Sequence, residues 1–358
     1  MLGREIAGSP GRNEAGGERP APLRRCDLHL HTRHSAWKHL RVIRARDSYS
    51  DPVVVFDRAR RAGMDFVAIT DHDSIDGALA LLEARPEAAA EIIVGEEVET
   101  YFPDTGQWIH VNVFGLDEPT HREIQRLRPS VYELVPYLRQ RGLLHVLNHP
   151  FQSYRFQKRP RAYVEEILGL FDHFEVGNGT MPQGHGEAGE AMLRYAGELM
   201  LRKVGVAGSD AHVPEQAGGS YTEAAGRTAG EWLASVARGA CGHRTRSIGF
   251  RSLLANVYRA VGGYYGELRS PEGRAGLSLV QSLAAAGLVP GVMVGVPAAL
   301  ALLNDLKQRG VAHWVRRSLL ADAAASRSGG TSAPAVRLLR GPRRAAASAA
   351  PDGPGPSR

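Results

Sequence analysis

The stretch Asp27-Leu28-His29-Leu30-His31-Thr32 decides how this chain is read. It is a short run of apolar and β-favouring residues carrying two histidines one residue apart. On a strand, side chains two apart face the same way, so His29 and His31 point together. Two imidazoles on one face, with Asp27 beside them, can clamp a divalent metal, because neutral imidazole suits zinc, iron and manganese. A His-x-His pair also arises at strand edges and in loops without any chemistry, so its meaning depends on what else the chain brings to it.

Working outward, a strand–loop–helix alternation runs through most of the sequence. The strand candidates are Arg24–Leu30, Phe66–Thr70, Glu91–Glu97, Ile109–Phe114, Leu143–Leu147, His173–Val176 and Val204–Ala207. Helical patterns fall between most of them, at Pro52–Ala62, Asp76–Glu83, Arg122–Arg139, Tyr163–Leu168, Glu187–Arg202 and Thr228–Arg238. Gly63, Gly142 and Gly205 each stand between a helix and the next strand, where a helix C-cap is wanted. Such alternation predicts an α/β fold with a largely parallel sheet, open or closed into a barrel. Around Pro103-Asp104-Thr105-Gly106 there is turn chemistry and no room for a helix, so a hairpin is expected there.

The polar residues then collect at strand ends. Thr70-Asp71-His72-Asp73 follows the second strand and Gly95-Glu96-Glu97 the third, with Asn148-His149-Pro150 after the fifth and Gly208-Ser209-Asp210-Ala211-His212 after the seventh. His110 lies on the return strand of the hairpin. Of the chain's 14 histidines, His29, His31, His72, His110, His149 and His212 take these positions and join Glu97 and Asp210. In a barrel of parallel strands the carboxyl ends share one mouth, where active sites lie. Eight N and O donors exceed the roughly four that one zinc takes, which implies two or three divalent ions, such as manganese, zinc or iron. Each donor has a bland counterpart: Asp73 reads partly as helix-capping chemistry, His149 as a loop residue stacked on Phe151, and only one of Glu96 and Glu97 can face inward.

These motifs, together with Glu175, resemble in content and order those of the polymerase and histidinol phosphatase (PHP) superfamily over roughly residues 24 to 240. The resemblance implies a distorted (β/α)7 TIM-like barrel and a metal-dependent phosphoesterase. Its ligands would be His29, His31, His72, Glu97, His110, His149, Asp210 and His212, the Gly-x-Glu spacing favouring Glu97 over Glu96. The sequence departs from the family pattern after the first histidine pair, where Ser35-Ala36-Trp37 stands in place of Ser-Asp-Gly. Asp47 takes the missing aspartate's place when counted back from Pro52, with His34 and His39 as rival donors.

The mechanism this suggests is attack of metal-activated hydroxide on a small phosphate ester. Asp210 and Glu97 are suited to bridging ions, and His212 or Asp71 to relaying protons, so the catalytic candidates are Asp71, Asp210 and His212. Arg44 and Arg46 in the insertion after the first motif, and Arg155 and Arg159 in the loop after His149, are expected to bind substrate anions. A non-catalytic regulatory module and an amidohydrolase-like enzyme cleaving C–N bonds are the alternatives.

Bulk properties fit an ordinary globular protein. The formal charge of +6 suits an anionic substrate, and specific nucleic-acid binding is not expected from it. Cys26 and Cys241 form no recognisable framework, which favours a reducing compartment, and no secretory signal is evident, so a cytoplasmic location is expected. The predicted organisation is a disordered lead at 1–22, the barrel at 23–242, an added helical region at 243–322 and a disordered basic tail at 323–358. Phe250–Gly266 and Leu300–Leu320 look helical. Leu283–Leu303 carries no charge, is long enough for a membrane span and is followed by Lys307, Arg309, Arg316 and Arg317, so membrane association is one expectation and a pair of short buried helices broken at Pro290 the other.

Overall fold

The computed structural model describes residues 21–35, 45–154, 160–271 and 278–328. Within these, β1 (Leu23–Asp27), α1 (Pro52–Arg61), β2 (Phe66–Ile69), α2 (Asp76–Ala84) and β3 (Ile92–Phe102) come first. There follow β4 (Gln107–Phe114), α3 (Glu118–Leu127), α4 (Val131–Gln140), β5 (His145–Leu147), α5 (Pro160–Leu170), β6 (His173–Asn178), α6 (Gln183–Glu198) and β7 (Val204–Gly208). The chain continues through β8 (Tyr221–Ala225), α7 (Ala229–Ala237), β9 (Cys241–Arg244), α8 (Phe250–Glu267), α9 (Leu279–Met293) and α10 (Val296–Ser328).

All the strands belong to one nine-stranded sheet in the order β7-β6-β5-β4-β3-β2-β1-β8-β9. The pairs β1–β2, β2–β3, β5–β6 and β6–β7 are parallel, as strand–helix alternation requires. The expected hairpin is present: β3 and β4 pair antiparallel from Gly95–Phe114 to Phe102–Gln107 around the turn at 103–106. It also makes β4–β5 antiparallel.

Two features correct the seven-strand expectation. Strands β8 and β9 extend the sheet antiparallel beyond β1. They are short, and β8 reads Tyr-Thr-Glu-Ala-Ala, whose inward residues Thr222 and Ala224 are too small and mixed to give an apolar alternation. The single helix expected over Arg122–Arg139 is two helices, because Pro129 has no N–H to continue the ladder and its ring crowds the preceding turn.

The sheet curls until its end strand β7 comes beside β1. Just past both strands Leu30 bridges Ala211 in parallel, and His31 N–H donates to Ala211 O at 3.0 Å. Asp27, buried beneath this seam, accepts from Ser209 N at 2.8 Å, His29 N at 3.2 Å and Gly218 N at 2.8 Å. Gly208 permits the approach: a Cβ there would stand 2.5 Å from the Cβ of His29. Asp27 is thus a backbone clamp and not a metal neighbour.

The alternation begun in β1 persists past its end. Leu28 and Leu30 pack into two apolar layers under the helices, while His29 and His31 face the barrel interior. Helix α10 joins the barrel through Val311, Ala312, Val315 and Leu319, spaced to share one face and packed with α5 and α6. It runs on to Ser328, past the expected end at Leu320. Trp314 meets Tyr154 with ring centroids 5.6 Å apart, and Gln308 donates to Gln152 O at 3.1 Å. Tyr264, on α8, and Ala285, on α9, form a smaller apolar cluster against Ala45 and Tyr49. Among the described residues no single helix is long and apolar enough to cross a membrane; Val280–Met293 and Val296–Leu319 pass that test only as a pair bent by 73°.

Candidate metal centre

Nine donor side chains converge at the carboxyl end of the parallel strands. His29 and His31 follow β1, Asp47 precedes α1, His72 follows β2, Glu97 is on β3, His110 on β4, His149 follows β5, and Asp210 and His212 follow β7. They form four overlapping groups: His31, Asp47, His72 and His212; His29, His31 and Asp210; His29, Glu97 and His149; His72, Glu97 and His110. Within each group the donor atoms lie within 4.8 Å of one another.

Glu97 stands at the middle. Its Oε1 is 3.3 Å from His29 Nε2, 3.1 Å from His110 Nδ1 and 3.1 Å from His149 Nε2. Its Oε2 is 3.3 Å from His31 Nε2 and 3.0 Å from His72 Nδ1. Those five imidazoles form a circuit around it, with successive ring centroids 5.0, 4.8, 4.8, 5.2 and 5.8 Å apart. Asp210 Oδ1 lies 3.5 Å from His29 Nε2 and 3.2 Å from His31 Nε2. Asp47 Oδ2 lies 3.1 Å from His72 Nε2 and 3.4 Å from His212 Nε2, while the His212 ring stacks on His31 with centroids 4.4 Å apart.

The donors fit cations better than they fit each other. His29 Nε2, His31 Nε2, His110 Nδ1 and both oxygens of Asp47 are buried without a hydrogen-bond partner. Buried polar atoms are normally satisfied, so nitrogen lone pairs and carboxylate oxygens aimed at a common space mark where positive charge belongs.

The electrostatics agree. Burial disfavours ionisation of Glu97, yet the imidazoles of His110, His29 and His72 hold its carboxyl well below the usual range. Burial works in the same sense on Asp210 and Asp47, and His29 and His31 for the first, His72 and His212 for the second, again prevail. Conversely, burial opposes the charged imidazole at His29 and His72, but the surrounding carboxylates raise both well above the ordinary value. For His212 the same balance, set chiefly by Asp47 against burial, ends at about 9.

A second layer fixes the donors. Glu175 Oε1 accepts from His29 Nδ1 at 2.8 Å, which turns Nε2 toward the centre. Its Oε2 accepts from His149 N at 3.0 Å and Asn178 Nδ2 at 2.8 Å. Asn178 and Thr180 donate to Asp210 Oδ2, at 3.2 and 2.8 Å, leaving Oδ1 for the histidines. Ser35 Oγ contacts His31 Nδ1 at 3.1 Å and accepts from His72 N at 3.1 Å. Asn148 Nδ2 donates to Glu97 Oε1 at 2.9 Å. His149 and Asp210 have φ of 25° and 53°, a left-handed geometry uncommon for such residues and held here by these bonds. The roles of Asn178, Thr180, Ser35 and Asn148 were not legible from motifs, because none is a ligand type. Glu175 was signalled only by its place at a strand end.

Not every expected residue joins the cluster. Asp71 is turned away: its oxygens accept from Thr32 N at 2.5 Å and Thr32 Oγ1 at 2.7 Å, so it anchors the loop after the first histidine pair rather than relaying protons. Its neighbour His72 faces inward, and adjacent residues of an extended run face opposite ways. Glu96 is likewise on the outer face, accepting from His121 Nδ1 at 2.9 Å and Gln125 Nε2 at 2.7 Å. Arg46 does not reach the mouth, because its guanidinium donates to Arg33 O and pairs with Glu267 of α8 at 3.6 Å. His34 is in none of the four groups. Arg44, Arg155, Arg159 and His39 lie outside the described residues.

Comparison with known proteins gives a match of residues 193–241 to the family described as PHP-associated. An uncharacterised protein of Methanocaldococcus jannaschii is 26% identical over 127 residues, 36% of this chain and 68% of that one. A Bifidobacterium adolescentis protein provisionally described as a metal-dependent phosphoesterase is 17% identical, the match covering 53% of this chain and 88% of that one with a TM-score of 0.40. PsfC from Pseudomonas syringae is 18% identical over 67% of this chain and 98% of its own, with a TM-score of 0.48. An amidohydrolase from Chromobacterium violaceum, solved with bound sulfate and no metal, is 16% identical over 64% and 96%, with a TM-score of 0.40. At such scores the chemistry has to be read from the site itself. The ordered motifs along the barrel resemble those of the PHP superfamily, and residues 193–241 are similar to the family described as PHP-associated.

Proposed function

We propose that the chain is a metal-dependent phosphoesterase that hydrolyses a small phosphomonoester. The observation that carries this reading is the Glu97 carboxylate inside a circuit of five histidines, with its two oxygens facing different sets. Glu97 would offer one oxygen to each set of histidines in holding divalent cations, and Asp210 and the Asp47–His72–His212 group would provide further donors.

Divalent ions in such a site supply hydroxide near neutral pH and neutralise phosphate and leaving-group oxygens. The chain's own residues do the rest. Glu175 fixes the tautomer of His29, so that its free nitrogen faces inward. Asn178 and Thr180 hold Asp210 in one rotation. His212 has the most exposed side chain of the nine, at 29%, with Nδ1 near Asp210 O at 2.9 Å, a position suited to passing protons between the centre and solvent. The formal charge of +6 favours an anionic substrate.

The test is a screen of the purified chain, loaded in turn with manganese, zinc and iron(II), against phosphomonoesters, phosphodiesters and amides. Phosphate release from monoesters, abolished by chelation, is expected. Amide cleavage without phosphate release would replace the reading with C–N hydrolysis. A fully metallated chain inactive on every substrate would identify a non-catalytic module.

A further inference from the structure

We infer that the elbow between α9 and α10 is a membrane-docking device that inserts into one leaflet of an anionic lipid surface. Among the described residues, all the large hydrophobic side chains left exposed lie on this elbow, apart from Leu23, Val54, Met200 and Tyr258. Leu283 is 64% exposed, Met293 80%, Leu300 61% and Leu303 63%, with Leu288 and Leu306 beside them. A soluble monomer rarely leaves so large a contiguous apolar surface uncovered.

The distribution of these side chains selects the occupant. On α9 the exposed positions run consecutively through 286–290, around the circumference rather than along one stripe, and among its described side chains only Ala285 is buried. A partner protein covers one face of a helix, whereas lipid surrounds it. The chain carries no charged residue between Arg274 and Asp305 and no polar side chain between Ser282 and Asn304, so no charge in the elbow opposes transfer into hydrocarbon.

The dimensions select the mode. Helix α9 has 15 residues and is therefore about 22 Å long at ~1.5 Å per residue, short of the ~30 Å hydrocarbon core. The following helix departs at 73° after a break at Val294–Gly295, where Gly295 has a φ of 85°. A short pair bent so sharply dips into a leaflet and returns. Past the elbow the sequence turns basic: Arg309 pairs with Asp305 and Arg316 with Glu187, Lys307 and Arg317 add further positive charge, and residues 329–358 contain five arginines against one aspartate. That charge complements anionic headgroups.

Away from the elbow, the middle of each helix is tied to the barrel near its mouth. Ala284 and Ala285 pack with Tyr264 and Tyr265 against Ala45 and Tyr49, which flank Asp47, while α10 meets the segment after His149 through Gln308 and Trp314. Docking of the elbow therefore sets the metal centre beside the headgroup layer. The inference does not depend on the phosphoesterase reading.

The experiment is co-sedimentation of the full-length chain with phosphatidylglycerol–phosphatidylcholine vesicles, and with phosphatidylcholine alone. The variant carries Leu283→Asp, Leu288→Asp and Met293→Asp; a second carries Leu300→Asp and Leu303→Asp. The parent is expected to bind the anionic vesicles, and each variant to partition on the order of tenfold or more weakly. Equal metal content per chain in parent and variants shows that the barrel is intact. Failure of the parent to bind either vesicle overturns the inference. If light scattering then finds a dimer that the variants dissociate, the elbow is an interface between copies; vesicle binding unchanged in both variants assigns the attraction to the basic residues alone and also overturns it.

Discussion

Glu97 is the residue at which the chemistry of the centre is most concentrated, since one carboxylate faces five imidazoles. Glu97→Gln keeps the volume and one acceptor but removes the charge shared between the two sets of donors. Elemental analysis after metal loading should show at least one equivalent lost, and any phosphatase activity should fall by about a hundredfold or more. Retention of both metal and turnover would count against a bridging role. Glu175 acts one step removed, through His29, so Glu175→Gln should weaken metal affinity by roughly 10–100-fold in a chelator competition while leaving the fold intact. At this scale the sequence was informative wherever a ligand type sat at a strand end, and least informative where neighbours compete for one face. Asp71 and His72 are adjacent and equally polar; Gly77 lies so close that a Cβ there would stand 2.0 Å from Asp71 Oδ2, and this tertiary packing decides which of the two turns inward. Arg46 was readable as a cation but not in its destination, because its partner Glu267 lies more than two hundred residues along the chain.

At the scale of elements, the alternation of strands and helices was legible where a parallel strand is a short apolar run, as in Phe66–Ile69, and where a helix is followed by a glycine of positive φ, as α1 is by Gly63 and α4 by Gly142. The break at Pro129 was written in the sequence and outweighed by the helical pattern on either side. Strand β8 was not legible, since its stability comes from pairing with β1 and from the Thr222 hydroxyl, which lies 3.0 Å from both Ala207 N and Ala207 O, rather than from its own apolar content. Helix α6 carries a consequence of burial that periodicity hides. His185 packs against Phe151 with centroids 5.6 Å apart, and its Nε2 has no hydrogen-bond partner. Burial first, and the charge of His149 second, push its imidazole down to about 3. The folded-state value therefore lies below the unfolded one, ~6.5. The native state must keep His185 neutral while the unfolded chain takes up a proton, so its stabilising effect is complete above pH ~6.5 and is lost as pH falls toward 3. Between pH 6 and 4 the loss is about 1.4 kcal/mol per pH unit. His185→Leu should remove this pH dependence, so that the unfolding free energies of parent and variant, measured in urea on metal-free protein, diverge by that order per pH unit. Parallel curves would show that His185 has another way to accommodate charge.

For the whole molecule, the barrel and its helical appendage differ in how far sequence could describe them. The donors come from seven separate segments between His29 and His212, so the site exists only once the sheet has curled and the seam between Asp27 and Ser209 has closed. Their order along the chain was visible, but their meeting was a property of closure. The appendage gave only an uncharged stretch compatible with several placements, because α9 and α10 bury just part of their surface on the barrel. Since the centre forms only in the folded chain, cations that bind it must stabilise the fold as a whole. Each independent site adds about 2.7 kcal/mol when the free ion is at a hundred times its Kd, so removal of metal by chelation should lower Tm, and restored metal should raise it in proportion to the logarithm of its concentration. The pH dependence has a definite sign. Without metal, His212 stays protonated up to about 9, and His29 and His72 are held in the same direction, whereas metal binding requires neutral imidazole. Binding at pH 7 therefore expels protons, and apparent affinity climbs with pH until His212 is neutral above about 9. Calorimetric titrations in buffers of different ionisation enthalpy read that release directly. A binding enthalpy independent of the buffer would mean that these imidazoles are not the groups the ions engage.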